Sequence, residues 1–208
     1  TSRGGAVVCL PGVPGELRYL MENAVIPHLK ERFHVTSVLV SRTLKCLGLT
    51  ESYIDETLDD LIKAGSNPTI GLLAQMQLGE IHVRLTAKAA DEAAASVLID
   101  PLEQRVRERL GKAVFGTDNV EYDQAVAELI RQHDLSIAVA ESGLSGGVGQ
   151  ELGNVLTGDR HFAAAVMAHR ATALEHLLDV PEALIDQHGR VSPEVAAAMA
   201  RGVRRRNE

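Results

Sequence analysis

The chain has 208 residues, 45% of them hydrophobic and 24% charged, with a formal net charge of −7. That length holds one large or two small domains with room for a core. The acidic balance excludes a general nucleic-acid binder, since no basic field offsets phosphate repulsion, and aromatics at 3% with no Trp exclude base stacking as a main mode.

No apolar run approaches the ~18 residues of a membrane-spanning helix, so no membrane partner is expected. Thr1-Ser2-Arg3-Gly4-Gly5 does not resemble a signal peptide. Cys9 and Cys46 both sit inside apolar patterns. They read as buried free thiols rather than a disulfide, which suits a cytoplasmic protein. The chain starts on Thr rather than Met and offers few strands after its opening stretch. A fragment, or a sheet completed by another chain, is expected, with a homo-oligomer as the default assembly.

Ala6 to Leu10 reads as a short buried strand, followed by the rigid turn Pro11-Gly12-Val13-Pro14-Gly15-Glu16. Pro14 suits the start of the next helix. Leu17, Leu20, Met21 and Ala24 recur at i, i+3, i+4 and i+7, a stripe that predicts a core-facing helix. Pro27 should kink or end it.

Val35 to Leu44 is β-branched and predicts a strand. Thr50 can cap a following helix, with Glu51 and Asp55 in its first turn and Ile54, Leu58, Leu61 and Ile62 on its apolar face. Gly65-Ser66-Asn67-Pro68 ends that helix. Thr69 to Ala74 is strand-like, and Gly79 marks a hairpin turn. In the next run Ile81, Val83 and Leu85 should point inward and His82, Arg84 and Thr86 outward. A helix from about Asp91 to Leu110 should bury Val97, Leu98, Leu102, Val106 and Leu110, with Pro101 as a kink. Residues 35–117 thus predict a two-layer β-α-β-β-α domain. His82 has no partner at metal-ligand spacing and reads as part of a solvated sheet face. No metal site and no cofactor are expected.

Residues 117–122 are polar and read as a linker. A helix from Asp123 to His133 should pack through Ala125, Val126, Leu129 and Ile130. Next comes a strand, Leu135 to Ala140, that stops at Glu141-Ser142-Gly143-Leu144-Ser145-Gly146-Gly147 before a helix at Gln150 to Leu156. A strand, a small-residue turn and a helix place ligand-binding groups at a sheet's carboxyl edge in α/β proteins. The N–H groups of such a turn can hold a phosphate or an oxyanion. The same pattern also serves as a tight connection that needs glycine for positive φ and close packing. Phe162 to Ala168 could form a second strand, and helices follow at Ala173 to Leu178 and Pro181 to Gln187. Ser192-Pro193-Glu194 is a strong helix start, with Val195, Met199 and Val203 spaced four apart beyond it.

Several stretches in this order resemble the CinA (competence/damage-inducible) family. They are Leu10-Pro11-Gly12-Val13-Pro14-Gly15-Glu16, Gly48-Leu49-Thr50-Glu51-Ser52, and Asn67-Pro68-Thr69-Ile70 to Leu73-Ala74. Further on, His82 to Ala89, Ala140-Glu141-Ser142 to Gly146-Gly147, and His188 to Val195 also match. In that family a molybdopterin-binding-like domain precedes a KH-like middle domain and an amidohydrolase domain. The resemblance implies a remnant of the first, with a short strand and helix, at residues 1–34. It further implies the KH-like α+β domain at 35–117 and an incomplete amidohydrolase-like α/β domain at 118–208. The fold class is therefore a mixture of α/β and α+β.

The amidohydrolase domain of relatives hydrolyses the amide of nicotinamide mononucleotide. Their Ser lies in an Ala-Glu-Ser-Cys-Thr-Gly-Gly turn, and a Tyr and a Lys lie downstream in a Val-Ala-Tyr-Ser-Asn-x-x-Lys stretch. Ser142 matches the Ser, and Ser145 lies where Thr would be, with one residue inserted. The Tyr position falls on His169 and the Lys position on Leu174. The resemblance thus implies Ser142 and His169 as catalytic candidates. Glu141, Ser145, Gly146, Gly147 and Ser192 become ligand-binding candidates for a nucleotide substrate. Three readings follow: an active amidohydrolase, a degenerate domain kept for nucleotide binding or assembly, and nucleic-acid binding by the KH-like domain. The third lacks the Gly-x-x-Gly loop that clamps a nucleotide backbone.

Overall fold

The computed structural model describes residues 5–143 and 145–207. They divide after Val114 into two compact units. The fold is a mixture of α/β and α+β.

The first unit opens on helices α1 (Pro14–Leu20) and α2 (Ile26–Arg32), joined by a π-helical turn, Met21–Val25. Pro27 does not end the helix. The Ile26 N–H instead reaches back to the Met21 carbonyl, and the wider turn accommodates the residue that lacks a donor. The expected apolar stripe faces no core, for no residue of either helix is buried. Nor do residues 5–10 form the expected strand, and Val7 is 81% exposed. A β-prone run becomes a strand only where a neighbour takes up its hydrogen-bond ladder.

Beyond this segment, β1 (Val38–Leu47), α3 (Glu51–Ala64), β2 (Thr69–Gln75), β3 (Glu80–Ala89), α4 (Glu92–Leu110) and β4 (Val114–Thr117) follow. The sheet order is β2-β3-β1-β4. β1 and β3 are antiparallel from Val38 opposite Ala89 to Leu47 opposite Glu80. The inward half of the predicted alternation in β3 holds, with Ile81, Val83 and Leu85 buried. Of the residues expected outward Arg84 is exposed, whereas Thr86 and His82 are half-buried, the His82 Nε2 lying 2.9 Å from the buried Glu80 carboxylate. The Thr50 side chain caps α3 by accepting the Tyr53 N–H at 3.3 Å, and Asp91 caps α4 by accepting the Ala94 N–H at 2.8 Å.

The buried stripe of α4 is Ala95, Ile99, Val106 and Leu110. Val97, expected inward, is 71% exposed, and Leu98 is 38% exposed. At about 100° per residue, Val97 lies ~200° round the helix from Ala95 and so on the opposite face. Pro101 lies within the continuous helix. Arg42 of β1 pairs with Asp100 at 2.7 Å and also with Glu103, tying the helix to the sheet.

In the second unit α5 (Tyr122–Gln132) begins at a capping box between Glu121 and Gln124. It buries Ala127 and Ile130, while Leu129 is 54% exposed, contrary to expectation. β5 (Ile137–Glu141) and β6 (Phe162–Met167) form a parallel pair with Glu141 opposite Met167. α6 (Gly147–Leu156) joins them. Then come α7 (Ala171–Leu178), α8 (Glu182–His188) and α9 (Pro193–Arg205).

Alternation along β5 sends Ile137 and Val139 to a cluster with Ala127, Ile130, Leu152 and Leu156. Ala138 and Ala140 face a second cluster built on Leu174, Leu178, Val195, Met199 and Val203. The strand pair thus lies between helical layers, as in α/β folds.

Candidate functional site

The site grows from the end of β5. Glu141 is the strand's last residue and is 5% exposed. Its carbonyl accepts the Ala168 N–H at 3.0 Å, which extends the strand pairing to the point where β6 gives way to its loop. Its carboxylate crosses the turn and accepts two N–H groups from the first turn of α6. Val148 donates at 3.0 Å and Gly149 at 2.9 Å. A helix start exposes N–H groups that its own backbone leaves unpaired, so this acid satisfies two of them and lies at the positive end of the helix dipole.

The turn itself needs glycine. Gly143 and Gly146 have φ of +85° and +82°. A Cβ on Gly146 would lie 3.2 Å from the Met167 sulfur, and one on Gly149 would lie 2.8 Å from the Ala165 Cβ. The packing role of the glycines and the approach of α6 to the sheet are therefore one device. Ser145 also has positive φ, +53°. Leu144 lies outside the described residues.

Ser142 follows Glu141 directly and lines a cleft of about 570 Å³ with Glu141, Val148, Arg190, Ser192 and Met199 among its walls. Ser145, Gly146, Gly147 and His169 are not among the residues lining it. His169 stands two residues beyond β6, and its Nδ1 accepts the Gly143 N–H at 3.4 Å. Parallel pairing thus brings the Ser142 turn and the His169 loop to one edge of the sheet.

Ser192 is a helix cap. Its hydroxyl accepts the Val195 N–H at 3.3 Å and donates to the Gly189 carbonyl at 3.1 Å. Leu174 is fully buried in the apolar cluster under α9. Arg190 went unpredicted as a site residue. It lines the cleft, and its guanidinium Nη1 donates to the His169 carbonyl at 2.6 Å. The only sequence signal was its place in a Gly-Arg loop just before a helix start. Among the described residues, no group of three or more His, Cys, Asp or Glu could hold a metal ion. No helix there is long and apolar enough to cross a membrane.

These features define an α+β unit followed by an α/β unit with a cleft at its strand edge, and two family models match them in the same order. The family described as Damage-inducible protein CinA KH domain matches residues 41–116, and the CinA C-terminal domain matches residues 119–208. A putative competence-damage inducible protein of Halalkalibacterium halodurans is 38% identical over 98% of this chain and 48% of its own length. One of the same description from Symbiobacterium thermophilum is 38% identical over 97% of this chain and 47% of its own. A crystal structure of a CinA superfamily protein from Escherichia coli aligns with a TM-score of 0.39 and 24% identity over 40% of this chain and 49% of that one. The chain belongs to the CinA family. It spans about half the length of the curated relatives it matches.

Proposed function

We propose that the second unit is a nucleotide-binding domain whose cleft takes nicotinamide mononucleotide and does not hydrolyse its amide. The observation that carries this reading is the fate of the position where the family resemblance expects a lysine. Leu174 is fully buried in the apolar cluster. A leucine neither accepts a proton nor stabilises a developing charge, and both are requirements for activating a serine hydroxyl. What supports binding is the cleft itself, with Ser142 and Arg190 in its walls and apolar Val139, Val148 and Met199 beside them. A few polar groups in an otherwise apolar recess suit a small organic ligand.

A second reading rests on one observation: Ser142 and His169 emerge at the same sheet edge, linked through the Gly143–His169 hydrogen bond. In that reading the Ser142 hydroxyl attacks the amide carbon, ammonia leaves, and water hydrolyses the resulting ester. In the geometry present, Nδ1 accepts a hydrogen bond, so a neutral ring carries its proton on Nε2 and has no free basic nitrogen. The imidazole must break from Gly143 before it can act as a base.

Calorimetric titration with nicotinamide mononucleotide, run beside an ammonia-release assay, separates the readings. Binding with no ammonia above background is the expected result. Steady ammonia release that Ser142→Ala abolishes overturns it in favour of the second reading.

A further inference from the structure

The N–H groups that the strand-turn-helix pattern would offer to an anion are already engaged. In such patterns the first N–H groups of the helix receive the ligand's phosphate. Here the Glu141 carboxylate already takes the Val148 and Gly149 N–H groups, and it is buried beside them. A ligand phosphate reaching for this helix end would meet a carboxylate, and the two negative charges would repel.

The cleft's positive charge comes from the other side. Arg190 lies in the loop between α8 and α9 and is the one cationic residue among the described residues lining the cleft. Its hydrogen bond to the His169 carbonyl, 2.6 Å long, uses one donor and fixes one arm of the guanidinium. Five N–H donors in a rigid fork leave others for a ligand. A carbonyl partner does not neutralise the charge, so the guanidinium stays available to an anion. Ser142, Ser192 and the apolar walls lie in the same recess.

We infer that Arg190 is the anion-recognising residue of this cleft, so that it selects phosphorylated ligands of the nucleoside monophosphate class over their unphosphorylated counterparts. This deepens the proposed nucleotide reading and rests on it for the organic part of the ligand. The phosphate preference itself stands on the Glu141 and Arg190 geometry.

The test compares the affinities of nicotinamide mononucleotide, nicotinamide riboside and inorganic phosphate for the wild type, Arg190→Gln and Arg190→Lys. Gln removes the charge while keeping a polar side chain, and equal thermal melting of the three proteins checks the fold. Charge-assisted hydrogen bonds predict that the wild type prefers the mononucleotide to the riboside by about 10- to 100-fold. Arg190→Gln should erase most of that gap without weakening riboside binding, and Arg190→Lys should keep part of it.

An undiminished gap in Arg190→Gln overturns the inference and leaves the nucleotide reading standing. Wild-type binding of inorganic phosphate that Arg190→Gln loses, with no binding of the mononucleotide, supports the anion site and removes nicotinamide mononucleotide as ligand. Binding of none of the three by the wild type overturns both.

Discussion

The Glu141 carboxylate accepts the Gly149 N–H at 2.9 Å across the turn that joins β5 to α6, and the same carboxylate holds the Val148 N–H. A single acid thereby closes the turn, caps the helix and sets the sign of charge at the helix start. Removing it by Glu141→Ala leaves two N–H groups unpaired in a part-buried setting, and should cost about 1–3 kcal/mol in urea unfolding. Glu141→Gln, which keeps one acceptor oxygen, should cost less. The Ala variant also frees the helix end for an external anion, so phosphate should raise its melting temperature more than that of the wild type. Equal phosphate responses would show that Glu141 does not block that site.

What the sequence made legible here was local. Glycine at positive φ, Ser192 as a cap and the alternation Ile81-His82-Val83 follow from rules that act over a few residues. The strand-turn-helix at Glu141 was legible as a candidate site for the same reason. The role of Glu141 was not, because it depends on the helix folding back over the strand's own last residue. Arg190 was hidden for a similar reason: its hydrogen bond to the His169 carbonyl forms only where the chain beyond β6 brings that carbonyl to it. The wrong face for Val97 and Leu98 came from counting apolar residues without the sheet that selects Ala95 and Ile99. Residues 5–10 show the converse, a strand-like pattern with no neighbouring strand among the described residues.

Acid should loosen the tie between α3 and α4. Arg109 of α4 hydrogen-bonds both Asp60 oxygens and also donates to the Thr57 carbonyl at 2.9 Å. The guanidinium beside Asp60 lowers its pKa to about 2. A carboxylate depressed in the folded state contributes stability above its unfolded pKa, near 4, and loses that contribution as pH falls through the folded value. The stability gap between wild type and Asp60→Asn should therefore be constant above about pH 4.5 and close towards about pH 2. Chemical denaturation at several pH values reads this directly, and a gap independent of pH would exclude the ion pair as its source.

The two thiols should differ sharply in reactivity. Cys9 is exposed, whereas Cys46 is fully buried in the core of the first unit. Burial pushes the Cys46 thiol up to about 11, with Arg107 opposing only in part. Only thiolate reacts, and at pH 8 a thiol with that pKa is about one part in a thousand ionised. A colorimetric thiol reagent should therefore titrate one cysteine in the native protein and two in denaturant. Cys9→Ser should leave the native protein unreactive. Rapid modification of native Cys46 would mean that its strand opens on the timescale of the assay.

Gly202 sets two local rules against each other. It lies inside α9, where replacing glycine by alanine normally raises helix stability by about 1 kcal/mol. A Cβ at this position, however, would overlap the Leu178 carbonyl at the end of α7. Both partners in that clash are backbone, so no rotamer change relieves it, and the buried neighbours Val203 and Met199 resist a shift of the helix. Packing should win. Gly202→Ala is expected to destabilise the second unit by about 3 kcal/mol or more. Ala197→Gly, at an exposed position of the same helix, should cost only about 1 kcal/mol. Thermal unfolding of the two variants decides the matter. A gain of stability in Gly202→Ala would mean that α7 and α9 are further apart in solution than their backbones lie here.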